Sequence, residues 1–360
     1  MDQSKVLIIS NPFKGTLSSL RIGEIVKEEL KKKNIESDYF AATDGGDGFL
    51  DAFKSIYPGI FIKEVSVKYP LGKEYHNVYY LFKEETRTVY VSVSDICGIK
   101  YINEDDRSPM YADSYGLGEA IKDAVNTFNP KRIVIGLGGS ASVDLGTSVL
   151  EALGTKFYDQ YDNEIRGLRN AKLNDVERID IKETRSLLKG IKIILLSDVF
   201  ANLFTNGATD LYSITKGAKK ENVCIIKENA EHFFNALGFF KDKKTYGAAG
   251  GISFMFTELL DAKIKLGSEE YLKIINFKKL VKEYDLIITG EGQFDEETLQ
   301  GKLIGSIIKY KPKKLIIICG SNKMKDYPNV YSIVPNLMTK EESLNNPEEA
   351  LRKLIRSIEI

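Results

Sequence analysis

The chain has 360 residues, 43% hydrophobic and 28% charged, with 51 Lys and Arg against 51 Asp and Glu, so its formal net charge is zero. This is globular composition at a length that suits two domains, and it lacks the basic excess that marks a nucleic-acid binder. Three scattered cysteines (Cys97, Cys224 and Cys319) form no CxxC pair, and His76 and His232 are the only histidines. Disulfide stapling, zinc binding and histidine-based catalysis are therefore not expected, and the pattern fits a reducing cytoplasm. No apolar run approaches the ~20 residues needed to cross a bilayer, so no membrane partner is expected.

In chain order, the apolar run at residues 5–10 predicts a first buried strand. Residues 18–33 follow with Leu20, Ile22, Ile25, Val26 and Leu30 at helical spacing, ending in three lysines that suit a helix C-terminus. A short strand is read at 38–41. Segments 61–67, 77–82 and 88–93 alternate apolar and polar residues, which predicts antiparallel strands with one wet face. A helix is expected at 117–126, a continuous apolar strand at 132–137 and a helix at 148–153. The region 155–266 is mixed, with a strand at 191–196. Strands at 286–289, 315–319 and 331–334 lead to an amphipathic helical tail at 341–360. Continuous strands alternating with helices predict an α/β fold around a doubly wound parallel sheet. We expect that core to comprise 1–58, 113–154 and 280–360. A mixed α/β domain of 59–112 and 155–279 would be inserted into it, with a cleft between the two.

Five segments carry candidate chemistry. The first strand runs into Asn11-Pro-Phe-Lys-Gly-Thr16, which places Lys14 where a strand meets a helix. Thr43-Asp-Gly-Gly-Asp-Gly48 sets two aspartates among glycines, as in loops that approach a metal or phosphate closely. Gly136-Leu-Gly-Gly-Ser-Ala-Ser-Val-Asp-Leu-Gly146 is a small-residue loop whose backbone N–H groups suit phosphate oxygens, although it is neither a Walker loop nor a dinucleotide fingerprint. Asp198 ends the strand at 191–196. Thr289-Gly-Glu-Gly-Gln-Phe-Asp-Glu-Glu-Thr-Leu-Gln-Gly-Lys302 gathers glycines, Glu291, Asp295 and a lysine at a strand end, where open α/β sheets bind ligands. A sixth run, residues 245–251, permits close backbone approach either to a ligand or to another helix.

Together these segments resemble the class I glycerate kinases. The matching pieces are Pro12-Phe-Lys-Gly-Thr-Leu-Ser18, Thr43-Asp-Gly-Gly-Asp-Gly48, Ser114-Tyr-Gly116, Gly136-Leu-Gly-Gly-Ser-Ala141 with Asp144, Ser197-Asp-Val199, Gly247-Ala-Ala-Gly-Gly251 and Thr289-Gly-Glu-Gly with Asp295, Gly301 and Lys302. They occur in the family's order. The resemblance implies a flavodoxin-like domain with a second, mixed α/β domain. It also implies ATP-dependent phosphorylation of D-glycerate with Mg²⁺, and family habit favours the 2-hydroxyl. The chain departs from the family pattern at Asn11 (usually aspartate), at Tyr111 and Gln293 (frequently arginine), and in the stretch from Val199 to Gly217. Those departures leave open a kinase for another small hydroxy acid, or a relative that binds without turnover.

Phosphoryl transfer needs positioning, charge neutralisation and an acceptor for the attacking hydroxyl's proton. On this resemblance Asp198 is expected as the base, with Lys14 and Asp44 also catalytic. Glu291 and Asp295 would hold Mg²⁺. Lys302 would neutralise phosphate, and Gly138, Gly139 and Ser140 would present backbone donors to the nucleotide. Arg107 would pair with the substrate carboxylate, with Ser114 and Asp47 beside it.

Overall fold

The computed structural model describes residues 5–198, 200–205, 208–299, 302–324 and 326–360. The chain divides into two compact units, 1–58 with 266–360 and 59–265. Its strands in order are β1 (Val6–Ser10), β2 (Ser37–Ala41), β3 (Phe61–Lys68), β4 (Tyr75–Lys83), β5 (Thr88–Ser92), β6 (Arg132–Leu137), β7 (Lys156–Tyr158), β8 (Glu164–Ile165), β9 (Arg178–Asp180), β10 (Lys192–Ser197), β11 (Lys263–Leu266), β12 (Leu286–Phe294), β13 (Leu315–Asn322) and β14 (Val330–Val334).

The first unit holds a sheet in the order β14-β13-β12-β1-β2. Its neighbouring strands pair parallel throughout. Counted within the unit this is the 2-1-3-4-5 order of the flavodoxin-like fold, and the chain reverses direction across the sheet between β1 and β12. The VLIIS strand is buried along its whole length, which explains its continuous apolar character. Helix Ser19–Lys32 covers one face through Ile22, Ile25, Val26 and Leu30, and the Ser18 hydroxyl caps it by accepting from the Arg21 amide. The expected single helical tail is two helices, Lys340–Asn345 and Pro347–Ser357, because Asn346 leaves helical geometry and Pro347 restarts the chain at a favoured first position. The second of these packs near Glu29, whose side chain is only 2% exposed and is bonded by Lys32, Arg352 and Arg356. The bond from Arg356 offsets the effect of burial and holds the Glu29 carboxyl down at about 2.

The strand read at 286–289 continues to Phe294, with Glu291 opposite Cys319 and Gln293 opposite Ser321. Glycine makes the extension possible: a Cβ on Gly290 would sit 2.5 Å from the Ile318 carbonyl.

The second unit holds a six-stranded sheet, β11-β10-β6-β5-β4-β3, and a three-stranded one, β8-β7-β9. The segment at 88–93, expected to be antiparallel, is antiparallel to β4 but parallel to β6, and all five residues of β5 are buried. The expected domain boundaries also need correction. Residues 113–154 fall in the second unit, because β6 is hydrogen-bonded between β5 and β10. Residues 266–279 fall in the first, where the Tyr271 hydroxyl donates to the Ala41 carbonyl at the end of β2. The inserted piece is therefore one continuous segment.

Candidate active site

In the first unit, the carboxyl ends of β1, β2 and β12 collect the polar groups. The Asn11 amide N–H donates to the Gly290 carbonyl at 3.0 Å, which ties the loop after β1 to β12. The Asn11 side chain donates to Asp44 Oδ2 at 3.0 Å, and Asp44 Oδ1 accepts from the Gly46 amide at 3.3 Å. Gly267 supports this loop so closely that a Cβ there would lie 2.0 Å from the Asp44 carbonyl. Both Asp44 oxygens thus brace the loop. Lys14 is exposed, and Gly292 passes beneath it, with Lys14 N 3.5 Å from the position a Cβ would take.

Glu291 is the outstanding group of this set. It is 7% exposed, and its Oε1 is buried with no hydrogen-bond partner among the described residues. The same holds for Asn11 Oδ1 and Thr289 Oγ1. Burial pushes the Glu291 carboxyl up to about 7, with Thr298 and Lys302 opposing the shift and Asp295 and Asp44 adding to it. Buried oxygens without donors are costly unless something fills the gap. Asp295 differs. Its Oδ1 accepts from the Thr298 amide at 3.3 Å, and its Oδ2 accepts from Gln293 Nε2 at 2.7 Å. Burial raises its carboxyl, but these bonds and the Lys302 charge hold it below the usual range. It acts first as a cap for helix Glu296–Leu299. Lys302 starts helix Leu303–Ile308 and reaches Glu297 at 3.3 Å. Burial lowers its ammonium, and the charges of Glu291, Glu297 and Asp295 raise it further than burial lowers it. Gly301 lies outside the described residues.

In the second unit, Ser197 pairs with Leu137, so Asp198 and Gly138 leave the sheet side by side after β10 and β6. Val199 lies outside the described residues. In the loop after β6, the Gly139 carbonyl accepts from the Ile99 amide and the Ala141 amide donates to the Cys97 carbonyl. Gly139 takes a left-handed φ of 64°, which a side chain would resist. Asp144, fully buried, organises this loop: Oδ2 accepts from the Ser114 amide and hydroxyl at 2.9 and 2.6 Å, and Oδ1 from the Ser142 hydroxyl at 2.9 Å. The structure thus puts Ser114, fully buried, inside the loop's foundation, where its hydroxyl is already spent on Asp144. Gly250 approaches the same loop, and a Cβ there would meet the Ser142 carbonyl at 2.0 Å, so this part of the 245–251 run serves packing. Arg107 lies against Gly217, and its Nε is buried without a partner among the described residues. Asp47 is half-buried in the loop between β2 and helix Phe49–Ile56.

One group absent from the expected set is Lys216. Its ammonium donates to the Ser140 hydroxyl and to the Ser142 carbonyl, both at 2.6 Å. Burial pushes it down to about 8, against the opposing charge of Asp144. The sequence signal was the Lys-Gly pair retained inside a stretch that otherwise departs from the family pattern.

Among the described residues, no cluster of three or more His, Cys, Asp or Glu side chains forms a metal cage, and no helix is long and apolar enough to cross a membrane. The sequence profile described as the Glycerate kinase family matches residues 6–359. The chain is 30% identical to the glycerate kinase of Bacillus subtilis (strain 168), over 98% of this chain and 96% of that protein. It is 26% identical to the glycerate 2-kinase of Escherichia coli (strain K12), over 98% and 97%. A solved structure of a protein provisionally named glycerate kinase 2, from Salmonella typhimurium LT2, superposes with a TM-score of 0.78 at 25% identity, covering 99% of this chain and 97% of that one. The expected two-domain α/β architecture agrees with that likeness. The chain belongs to the glycerate kinase family, a family of phosphotransfer enzymes.

Proposed function

We propose that the protein transfers the γ-phosphoryl group of ATP to the 2-hydroxyl of D-glycerate, with Mg²⁺ as the metal. The observation that carries this reading is the tip of β12. There a buried carboxylate oxygen of Glu291 has no partner among the described residues and feels the Lys302 charge, and the paired strand β1 leads into Asn11, whose Oδ1 is likewise without a partner among them. Hard oxygen donors suit Mg²⁺, which takes one or two protein carboxylates and completes its shell with water and substrate phosphates. The absence of a larger acidic cage is compatible with that habit. Glu291 would hold the ion directly, and Asp295, already engaged as a cap, through water. When bound, Mg²⁺ supplies neutralisation of the phosphate oxygens.

The reaction moves one bond. The substrate hydroxyl oxygen bonds to the γ-phosphorus, the bond to the bridging oxygen of ADP breaks, and the hydroxyl proton leaves for a base. Asp198, at the open end of β10, is the base in this reading. Lys14 and Lys302 offset charge on the transferring group. The amides of Gly138, Gly139 and Ser140 are donors for nucleotide phosphate. Arg107, with a buried Nε lacking an acceptor among the described residues, suits the glycerate carboxylate. Asp44 holds the loop that carries the first-unit groups, and Asp47 stands beside it. The name of the Escherichia coli relative supports the choice of the 2-hydroxyl. A coupled assay of ADP release tests the reading: release should require D-glycerate and Mg²⁺ together. ADP release that is indifferent to D-glycerate, or that persists in excess chelator, would overturn it.

A further inference from the structure

The second unit carries a basic cavity of about 580 Å³ where β6 and β10 begin, beside the edge strand β11. Arg132, Arg185, Lys192, Lys263 and Lys265 line it, and Asp261 is the one acid among its lining residues. Five cations less one acid leave four positive charges, in a chain whose formal net charge is zero. The volume falls in the range of small-molecule sites, about 300–1,000 Å³.

The cavity stands apart from the groups assigned to phosphoryl transfer. Leu137 and Ser197 are register partners at the far ends of β6 and β10, and they lead to Gly138 and Asp198. Arg132 and Lys192 are partners at the opposite ends of the same strands. A strand rises about 3.3 Å per residue, so the two ends are roughly 16 Å apart.

The sheet explains why the cations converge. Ile133 and Ile193 are buried in the core of this unit, and Ile264 packs against it. Side chains alternate along a strand, so Arg132, Lys192, Lys263 and Lys265 all turn away from that core. Arg132 and Lys192 stand side by side on strands about 4.8 Å apart. Arg185 joins them from helix Lys182–Leu187, where its Nε and Nη2 donate to the Leu259 carbonyl at 3.4 Å. Like charges on neighbouring strands repel. Among the described residues, Arg132, Lys192 and Lys263 have no ion-pair partner to offset this. Glu258, the residue before Leu259 on the cavity wall, is bonded by Lys243 at 2.7 Å.

We propose that this cavity binds a small phosphate-class anion carrying two or more negative charges, at a site separate from the one that carries out the reaction. Four net positive charges favour such an anion over a monoanion, and a guanidinium beside ammonium groups suits phosphate oxygens. The bound anion bridges β6 and β10 at their base and draws in the edge strand β11.

The test is calorimetric titration of the full chain at fixed ionic strength, without Mg²⁺ or ATP, using inorganic pyrophosphate, sn-glycerol 3-phosphate and chloride. Wild type should bind pyrophosphate saturably and chloride not at all. Lys192→Gln and Lys263→Gln should each weaken pyrophosphate binding by about 10-fold, and the double variant by about 100-fold, the loss of one and of two charge-assisted hydrogen bonds. Lys192→Arg and Lys263→Arg should stay within about threefold of wild type, because the charge is kept. Both lysines are exposed, so the variants should fold as wild type does. Glycerol 3-phosphate binding with the same lysine dependence extends the site to organic phosphates, and pyrophosphate binding alone confines it to inorganic ones; either supports the proposal. In the ADP-release assay the double variant should keep the KM values for ATP and D-glycerate within about twofold. Pyrophosphate binding that survives in the double variant, or a raised KM for ATP in that variant, would overturn the proposal. Should wild type show no turnover, the kinase reading fails, and the titration still decides this site.

Discussion

Replacing Glu291 with glutamine should separate function from stability. Glu291 is 7% exposed and its Oε1 has no partner among the described residues. A buried acceptor left unsatisfied costs about 1–3 kcal/mol, more when it is charged. Glutamine keeps the shape and removes the charge. In metal-free buffer at pH 8, Glu291→Gln should therefore be more stable than wild type, by about 1–3 kcal/mol. With Mg²⁺ and ATP the order should reverse. A ligand at a hundred times its dissociation constant stabilises by about 2.7 kcal/mol. Wild type should gain this increment and the variant should lose most of it. Turnover should fall about 10²-fold or more, because on the proposed reading the metal would lose its direct protein ligand. Urea unfolding with and without Mg·ATP, beside the ADP-release assay, reads all three quantities. A variant less stable than wild type without metal, or one that keeps the Mg·ATP increment, would refute the assignment of Glu291 as the metal-holding carboxylate.

Four further outcomes follow from named contacts. Asp198→Asn should lower kcat by about 10²-fold or more with little change in either KM, and near-normal turnover would remove it as the base. Ser114→Ala should cost about 1–3 kcal/mol in chemical denaturation by leaving Asp144 short of a donor, while the KM for the acid stays within about twofold. Asn11→Asp would set a second carboxylate 3.0 Å from Asp44 Oδ2 in place of a donor, so the variant should unfold at lower urea, with added Mg²⁺ restoring part of the loss. Glu29 titrates at about 2 in the folded protein, below its usual 4.5, so its contribution is present above pH 4.5 and fades as pH falls towards 2. Glu29→Gln should therefore cost on the order of 3 kcal/mol at pH 7, and the gap from wild type should shrink by more than half at pH 3.

The fold was legible wherever one physical signal dominated. Continuous apolar runs located β1, β6, β10 and β12–β14, because strands covered on both faces have no polar alternation to hide them. The domain boundaries were not legible, because β6 looks the same in either sheet. What decides its membership is its pairing with β5 and β10, which no local pattern encodes. Likewise β5 faces an antiparallel neighbour on one side and a parallel one on the other, and alternation reports only the first. Candidate site residues were found through glycines and carboxylates at strand ends, but their roles depended on bonding. Sequence cannot distinguish Glu291, which keeps an oxygen unsatisfied among the described residues, from Asp295, whose Oδ1 caps a helix and whose Oδ2 accepts from Gln293. Nor can it show that the Ser114 hydroxyl is spent on Asp144. Lys216 does not stand out in the sequence because its enclosure comes from bonds to Ser140 and Ser142, a property of packing across segments distant in sequence.

The central claim is best tested by phosphorus and proton NMR of a reaction containing the protein, Mg²⁺, ATP and D-glycerate. The account predicts ADP and 2-phosphoglycerate appearing in equal amounts. ADP accompanied only by inorganic phosphate, or a product phosphorylated at the 3-hydroxyl, would contradict it.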